Sequence, residues 1–267
     1  MADLRSTNWV WAMALAAGTA CGGEPTAGPN SAGVSIEVMP PVVWPNEPAA
    51  LSGRSDQPFD QLAGLGWDWP AIVPGVVRIV DDPSAPLSPP HVLRFDYRPG
   101  FSGGGAPGLV DYPHSGSPEV YAGFWWKPSE PWQNHPSNVN KLAFWQTATW
   151  GSSADIQMYG PAPYQLHVVT QFRSGTARLQ PNINQTAVTL GTWHRIEWHL
   201  KYASSAGADG LVEWWLDGVL QGRYTNLRTP GDQGFTVFQF SPTWGGVGGT
   251  KNQDDYFLFD HVRISTR

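Results

Sequence analysis

The chain has 267 residues, of which only 14% are charged, and its 16 basic and 22 acidic side chains leave a formal charge of −6. No run of Lys or Arg occurs, so duplex nucleic acid, which needs a clustered cationic face, is excluded as a partner. Thirty glycines, 25 prolines and a lone cysteine, Cys21, point to an all-β fold of short strands and turns, held by packing without an intramolecular disulfide.

The chain opens MADLRSTNWVWAMALAAGTACGGE. A short polar head with Arg5, an apolar stretch from Trp9 to Ala17 and small residues up to Cys21 have the layout of a secretory signal. The stretch is too short for a stable bilayer span, so residues 1–20 are expected to be removed on export. Gly18, Thr19, Ala20 and Cys21 resemble the processing site of bacterial lipoproteins, with Gly18 where Leu is usual. That resemblance implies a diacylglycerol on Cys21, the chain's one link to a membrane, and a mature protein anchored in the bacterial envelope. Cleavage after Ala20 without lipid, giving a secreted protein, is the competing expectation. Residues 21–55 are rich in Pro, Gly, Ala and Ser and read as a flexible tether, with Val34 to Val43 a candidate edge strand.

Residues 56–267 read as one antiparallel β-sandwich of the jelly-roll type. Strands are expected at Val76 to Val80, His91 to Tyr97, Val120 to Lys127, Lys141 to Thr147, Asp155 to Met158 and Gln165 to Phe172. Four more follow at His194 to Tyr202, Leu211 to Leu216, Phe235 to Phe240 and Tyr256 to Ile264. Turn formers such as Ala-Gly-Ala-Asp-Gly and Asp217-Gly218 separate them. Period two assigns faces. Gln165, His167, Val169 and Gln171 share a polar face; Ile196, Trp198, Leu200 and Tyr202, and likewise Val212, Trp214 and Leu216, form buried rows. Asp260, inward on its strand, is expected to bond to backbone or a neighbouring loop, because a buried carboxylate must be satisfied.

GTWHRIEWHLKYASSAGADGLVEWWLDGVLQGRY, from Gly191 to Tyr224, resembles a hairpin of the concanavalin A-like lectin/glucanase superfamily. DYFLFDHVRIS, from Asp255 to Ser265, is similar to the last strand of such domains, and YAGFWWK and NKLAF to the first strands of their concave sheet. The resemblance implies a two-sheet sandwich and a glycan ligand, and it leaves the activity open. Retaining glucanases of this fold carry Glu-x-Asp-x-x-Glu, with two carboxylates about 5 Å apart; no such motif is present, and ADIQMYG around Asp155 offers one carboxylate. Lyases of the fold pair a His or Tyr base with a polar clamp for a uronate carboxylate. His167 and Gln171 resemble the His/Gln part, with Lys127 or Lys141 for the acid group. The Tyr-Phe-Lys-x-Gly-x-Tyr strand of the alginate-lyase branch is replaced by FTVFQFSPTWGG, which has no Tyr.

Fifteen tryptophans are present, and thirteen remain once Trp9 and Trp11 are cleaved away. Aromatic rings stack on the C–H faces of sugars while amides and charges bond their hydroxyls. Tyr121, Trp125, Lys127, Lys141, Trp145, Gln165, His167, Gln171, Gln239 and Trp244 are therefore the candidate carbohydrate-binding residues, with Trp125, Trp145, Trp150 and Trp244 expected on or near one sheet. Three functions follow. The leading expectation is a lectin-like domain holding a polysaccharide. The second is a polysaccharide lyase with His167 as base, and the third a non-catalytic surface protein. No metal is required on this reading, although Asp254, Asp255 and the loop Gly245 to Gly249 supply oxygens that calcium favours.

Overall fold

Strands that alternate apolar and polar side chains bury the apolar rows only when a second layer covers them, and this chain does so with two stacked antiparallel sheets. The computed structural model describes residues 44–61, 64–72, 75–148, 151–172, 175–204, 207–229 and 234–267. The chain divides into two units, Met1–Pro41 and Val42–Arg267, and all strands described here belong to the second. The signal segment, Cys21, the candidate strand Val34 to Val43 and Trp150 lie outside the described residues.

One sheet runs β13 (Val219–Leu227), β12 (Gly210–Leu216), β11 (His194–Lys201), β6 (Glu119–Pro128), β15 (Asp255–Thr266), β4 (His91–Tyr97) and β3 (Val77–Asp81). An eighth strand, β1 (Ser52–Gln57), pairs with the C-terminal half of β15. The other sheet has seven strands: β10 (Gly175–Leu179), β9 (Gln165–Phe172), β8 (Ser153–Tyr159), β7 (Val139–Thr147), β14 (Phe235–Phe240), β5 (Gly108–Ser117) and β2 (Asp68–Ile72). The fold is all-β, as the composition implies.

The inner rows meet in an aromatic core. Phe240 of the seven-stranded sheet lies 5.4 Å from Phe124 and 4.4 Å from Phe259 of the other, ring centre to ring centre. Trp145 reaches Trp198 at 6.5 Å. The Trp214 indole N–H donates across the layers to the Leu166 carbonyl at 3.0 Å, satisfying a polar group that burial would otherwise strand.

All ten expected strands are present, and β1, β2, β5, β10 and β13 are additional. The domain also begins earlier than the expected boundary, which falls inside β1. Trp44 packs over Gly123, where a Cβ would sit 2.6 Å from its ring. Arg263 and Ser265 of β15 bond the Glu47 carboxylate. Asp260 accepts the backbone N–H groups of Leu87 at 2.7 Å and Ser88 at 3.1 Å, the backbone partners expected of it.

One placement differs from expectation. YAGFWWK lies on β6 in the eight-stranded sheet, whereas NKLAF lies on β7 in the seven-stranded one. The chain crosses from one layer to the other between them, as jelly-roll connections do. Tyr121, Trp125 and Lys127 therefore point away from the core on the far side of the molecule from β7.

Candidate functional site

The outer face of the seven-stranded sheet collects polar groups on three adjacent strands. On β8, Ala154, Ile156 and Met158 enter the core, which turns Asp155, Gln157 and Tyr159 outward. On β9, Leu166 and Val168 enter the core and Gln165, His167, Val169 and Gln171 turn outward. Pairing sets Lys141 of β7 opposite Gln157, and Gln157 opposite His167. Asp155 sits between Phe144 and Val169. β10 extends the face, placing Thr176 opposite Gln171 and Arg178 opposite Val169.

These strands enclose a depression of about 180 Å³. Lys141, Asp155, Gln157, Gln171, Thr176 and Arg178 supply its polar lining, with Val139 and Val169 between them. Asp155 is fully buried, and neither carboxylate oxygen has a hydrogen-bond partner among the described residues. Burial pushes its carboxyl up to about 6, against a smaller downward pull from the Lys141 charge.

Next to the depression, the rings of Tyr159 and His167 stack at 4.6 Å with 19° between planes. The Tyr159 hydroxyl accepts a hydrogen bond from Arg178 Nη1 at 2.7 Å. His167 is 5% exposed and its Nδ1 has no partner among the described residues. Burial, and secondarily the Arg178 charge, hold its imidazole down to about 4, so it is neutral at ordinary pH.

The residues singled out from the sequence separate into three places. Lys141 and Gln171 line the depression; His167 and Gln165 lie beside it on β9, with Gln165 opposite Tyr159. Gln239 lies on the same sheet but donates to Asp111 at 2.8 Å. Trp145 and Trp244 are in the interior, fully buried, rather than at the surface. Trp244 donates its indole N–H to the Gln133 carbonyl at 2.9 Å. Tyr121, Trp125 and Lys127 are on the other sheet. The Tyr121 hydroxyl donates to Glu197 at 2.6 Å, Trp125 pairs with Arg195 and Asp260, and Lys127 is ion-paired with Asp82. Among the described residues, therefore, no tryptophan platform forms along the depression.

Gln157, Tyr159 and Arg178 are not among the residues singled out from the sequence. Continuing the alternation of Asp155 and Gln157 by one step reaches Tyr159; nothing local marks Arg178, which lies on an exposed edge strand. Of the proposed oxygen ligands for calcium, Asp254 is exposed, while Asp255 and the Gly248 carbonyl are engaged by other groups. Asp255 is ion-paired with buried Lys251 and accepts the Gln133 N–H at 3.0 Å, and His135 fills the Gly245–Gly249 loop, bonding the Gly248 carbonyl at 2.7 Å. Among the described residues no cluster of three or more His, Cys, Asp or Glu side chains forms a metal site.

Around the depression the arrangement suits proton transfer beside a bound anion better than two-carboxylate hydrolysis, since Asp155 is the one carboxylate in its lining and the facing pair Asp68 and Asp111 lies elsewhere on the sheet. Asp155 and Asp111 lie in one cross-strand row but three strands apart. At about 4.8 Å per strand that is roughly 14 Å, beyond the separations of about 5 to 9.5 Å that glycosidases use.

No protein-family model and no curated protein sequence matches the chain. Solved structures share its fold. An endo-β-1,4-glucuronan lyase from the fungus Trichoderma reesei superposes with a TM-score of 0.56 at 21% identity, over 76% of this chain and 92% of that one. The PL-14 alginate lyase from Aplysia kurodai gives 0.55 at 14% identity, over 72% and 87%. A carbohydrate esterase from the Shiga toxin-encoding bacteriophage phi24B gives 0.53 at 12%, over 81% and 99%. At these identities the likeness establishes the jelly-roll sandwich, and different carbohydrate chemistries share it.

Proposed function

We propose that the protein is a polysaccharide lyase that cleaves uronate-containing chains by β-elimination on the outer face of the seven-stranded sheet. The observation that carries this reading is the convergence of Tyr159, His167 and Arg178 beside a depression lined by Lys141, Gln157 and Gln171. The likeness to the glucuronan and alginate lyases supports it.

Elimination removes the proton on the carbon next to the uronate carboxylate, then breaks the bond to the glycosidic oxygen one carbon away. Lys141 and Arg178, with the two amides, hold the carboxylate and stabilise the charge that spreads onto it as the proton leaves. Tyr159 oxygen takes that proton and returns it to the departing glycosidic oxygen, so one group serves as base and then acid. The Arg178 hydrogen bond strengthens when the phenolic oxygen is negative. His167, stacked beneath the ring and neutral, is a positioning residue. The product carries a new C=C bond conjugated to the carboxyl group and absorbs in the ultraviolet.

The test is ultraviolet absorbance of the purified protein mixed in turn with polyglucuronate and alginate. A rise with wild type is expected, and Tyr159→Phe should lower kcat by about 10²–10⁴-fold, the usual worth of a proton-transfer group. Absence of any rise, with retention of the polymers in affinity electrophoresis, would replace the lyase by a glycan-binding module. That second reading draws on the burial of His167 at 5% exposure. Export, with or without lipid on Cys21, belongs to the same proposal, since it brings the site to polysaccharide outside the cell. Fatty-acid labelling lost in Cys21→Ala is the expected mark of the lipid.

A further inference from the structure

A buried carboxyl group is ordinarily hydrogen-bonded, because stripping its water without replacement costs free energy. Asp155 is fully buried, yet both oxygens lack partners among the described residues. Its cross-strand neighbours, Phe144 and Val169, offer no side-chain donor or acceptor. The depression that it lines is a place where a ligand can supply that partner.

We propose that Asp155 is a specificity-determining residue: as a neutral carboxylic acid it donates its O–H to the carboxylate of the uronate that occupies the depression. The assignment rests on the uronate reading of the site given above. The proton makes the contact attractive, because two ionised carboxylates at hydrogen-bond distance in a poorly solvated site repel each other. An anionic sugar is then held by one neutral donor in addition to the two cations, and a neutral sugar gains less from it.

Recognition should therefore depend on pH. Among the described residues, the titratable and charged groups around Asp155 are Lys141 on β7, Tyr159 on its own strand, His167 on β9 and Arg178 on β10; Asp111 of β5 lies three strands along the same row, bonded to Gln239. His167, held down to about 4, is already neutral above pH 5. Asp155, pushed up to about 6, changes charge just where a uronate stays ionised. Affinity for an anionic oligosaccharide should be greatest near pH 5 and decline above pH 6.

The test is isothermal titration of the full chain with β-1,4-linked tetraglucuronate between pH 5 and 8, with neutral cellotetraose as control and binding measured in Tyr159→Phe to suppress turnover. In that background the Kd for tetraglucuronate should rise by about tenfold per pH unit above pH 6, the limit for one linked proton. Adding Asp155→Asn, which keeps an N–H donor and cannot ionise, should make the Kd flat across the range, and cellotetraose should show no slope in either protein. A flat Kd with Asp155 intact, or an unchanged slope in Asp155→Asn, would overturn the assignment and leave the uronate reading standing. No binding of tetraglucuronate or of an alginate oligosaccharide at any pH would remove both. A carboxyl ¹³C titration supplies a second readout: bound tetraglucuronate should raise the midpoint of Asp155, and a lowered midpoint would contradict the donor role.

Discussion

Asp155 is a destabilising residue by design of its surroundings. Its carboxyl is raised from an ordinary 3.8 to about 6, so the folded state binds the proton more tightly than the unfolded one. The contribution to stability is full below about pH 4 and is lost as pH rises through 6, a difference on the order of 2–3 kcal/mol by pH 8. Asp155→Asn is therefore expected to be more stable than wild type at pH 8 by roughly that amount, and nearly equal to it at pH 4. Thermal unfolding at the two pH values checks this, and an equal gap at both would count against it. His167 acts with the opposite sign: depressed from 6.5 to about 4, it contributes stability above pH 6.5 that is lost as pH falls through 4. At this scale part of the site was legible. The alternation in QLHVVTQF places His167 and Gln171 on a common outward face without any knowledge of the partner strands. The stacking of Tyr159 on His167 and the bond from Arg178 were not legible, because they join three strands whose register is set by pairing.

Among the elements, β12 and β13 show how local chemistry and packing combine. Trp214 was expected in a buried row and is fully buried, its ring parallel to Tyr224 at 6.2 Å and its N–H held by Leu166. Gly222 lies directly over that ring, and an added Cβ would stand 2.2 Å from it. Because the indole is fixed on both sides, Gly222→Ala should cost about 1–3 kcal/mol or more through overpacking. Urea unfolding should show a lowered midpoint with an unchanged slope; an unaltered midpoint would mean that the ring has room to move. The same glycine and the polar residues around it explain why β13 does not announce itself as a strand. β10 is hidden for a different reason. Four of its five residues are exposed, so no face is selected for apolar side chains, and only pairing with β9 defines it.

Over the whole molecule, β15 is the strand on which the eight-stranded sheet is assembled. It pairs with β6, β4 and β1, and its inner face supplies Phe257, Phe259, Val262 and Ile264 to the core. Deleting Asp255–Thr266 would leave β4 and β6 with open edges and uncover the aromatic core, so the shortened chain is expected not to fold. Near-ultraviolet circular dichroism and tryptophan fluorescence check this; native-like spectra from the truncated chain would contradict it. The hydrophobic alternation inside a strand is a property of neighbouring residues, governed by the pleat. The all-β class, the ten clearest strands and the inward rows of Trp198 and Trp214 could therefore be read directly from the order of amino acids. Membership of a sheet is governed by partners far away in the chain. That is why YAGFWWK belongs to the layer opposite NKLAF, why Trp145 and Trp244 are interior, and why Tyr159, His167 and Arg178 come together: the free energy that chooses these positions comes from burying whole sheets against each other, and no short segment contains it.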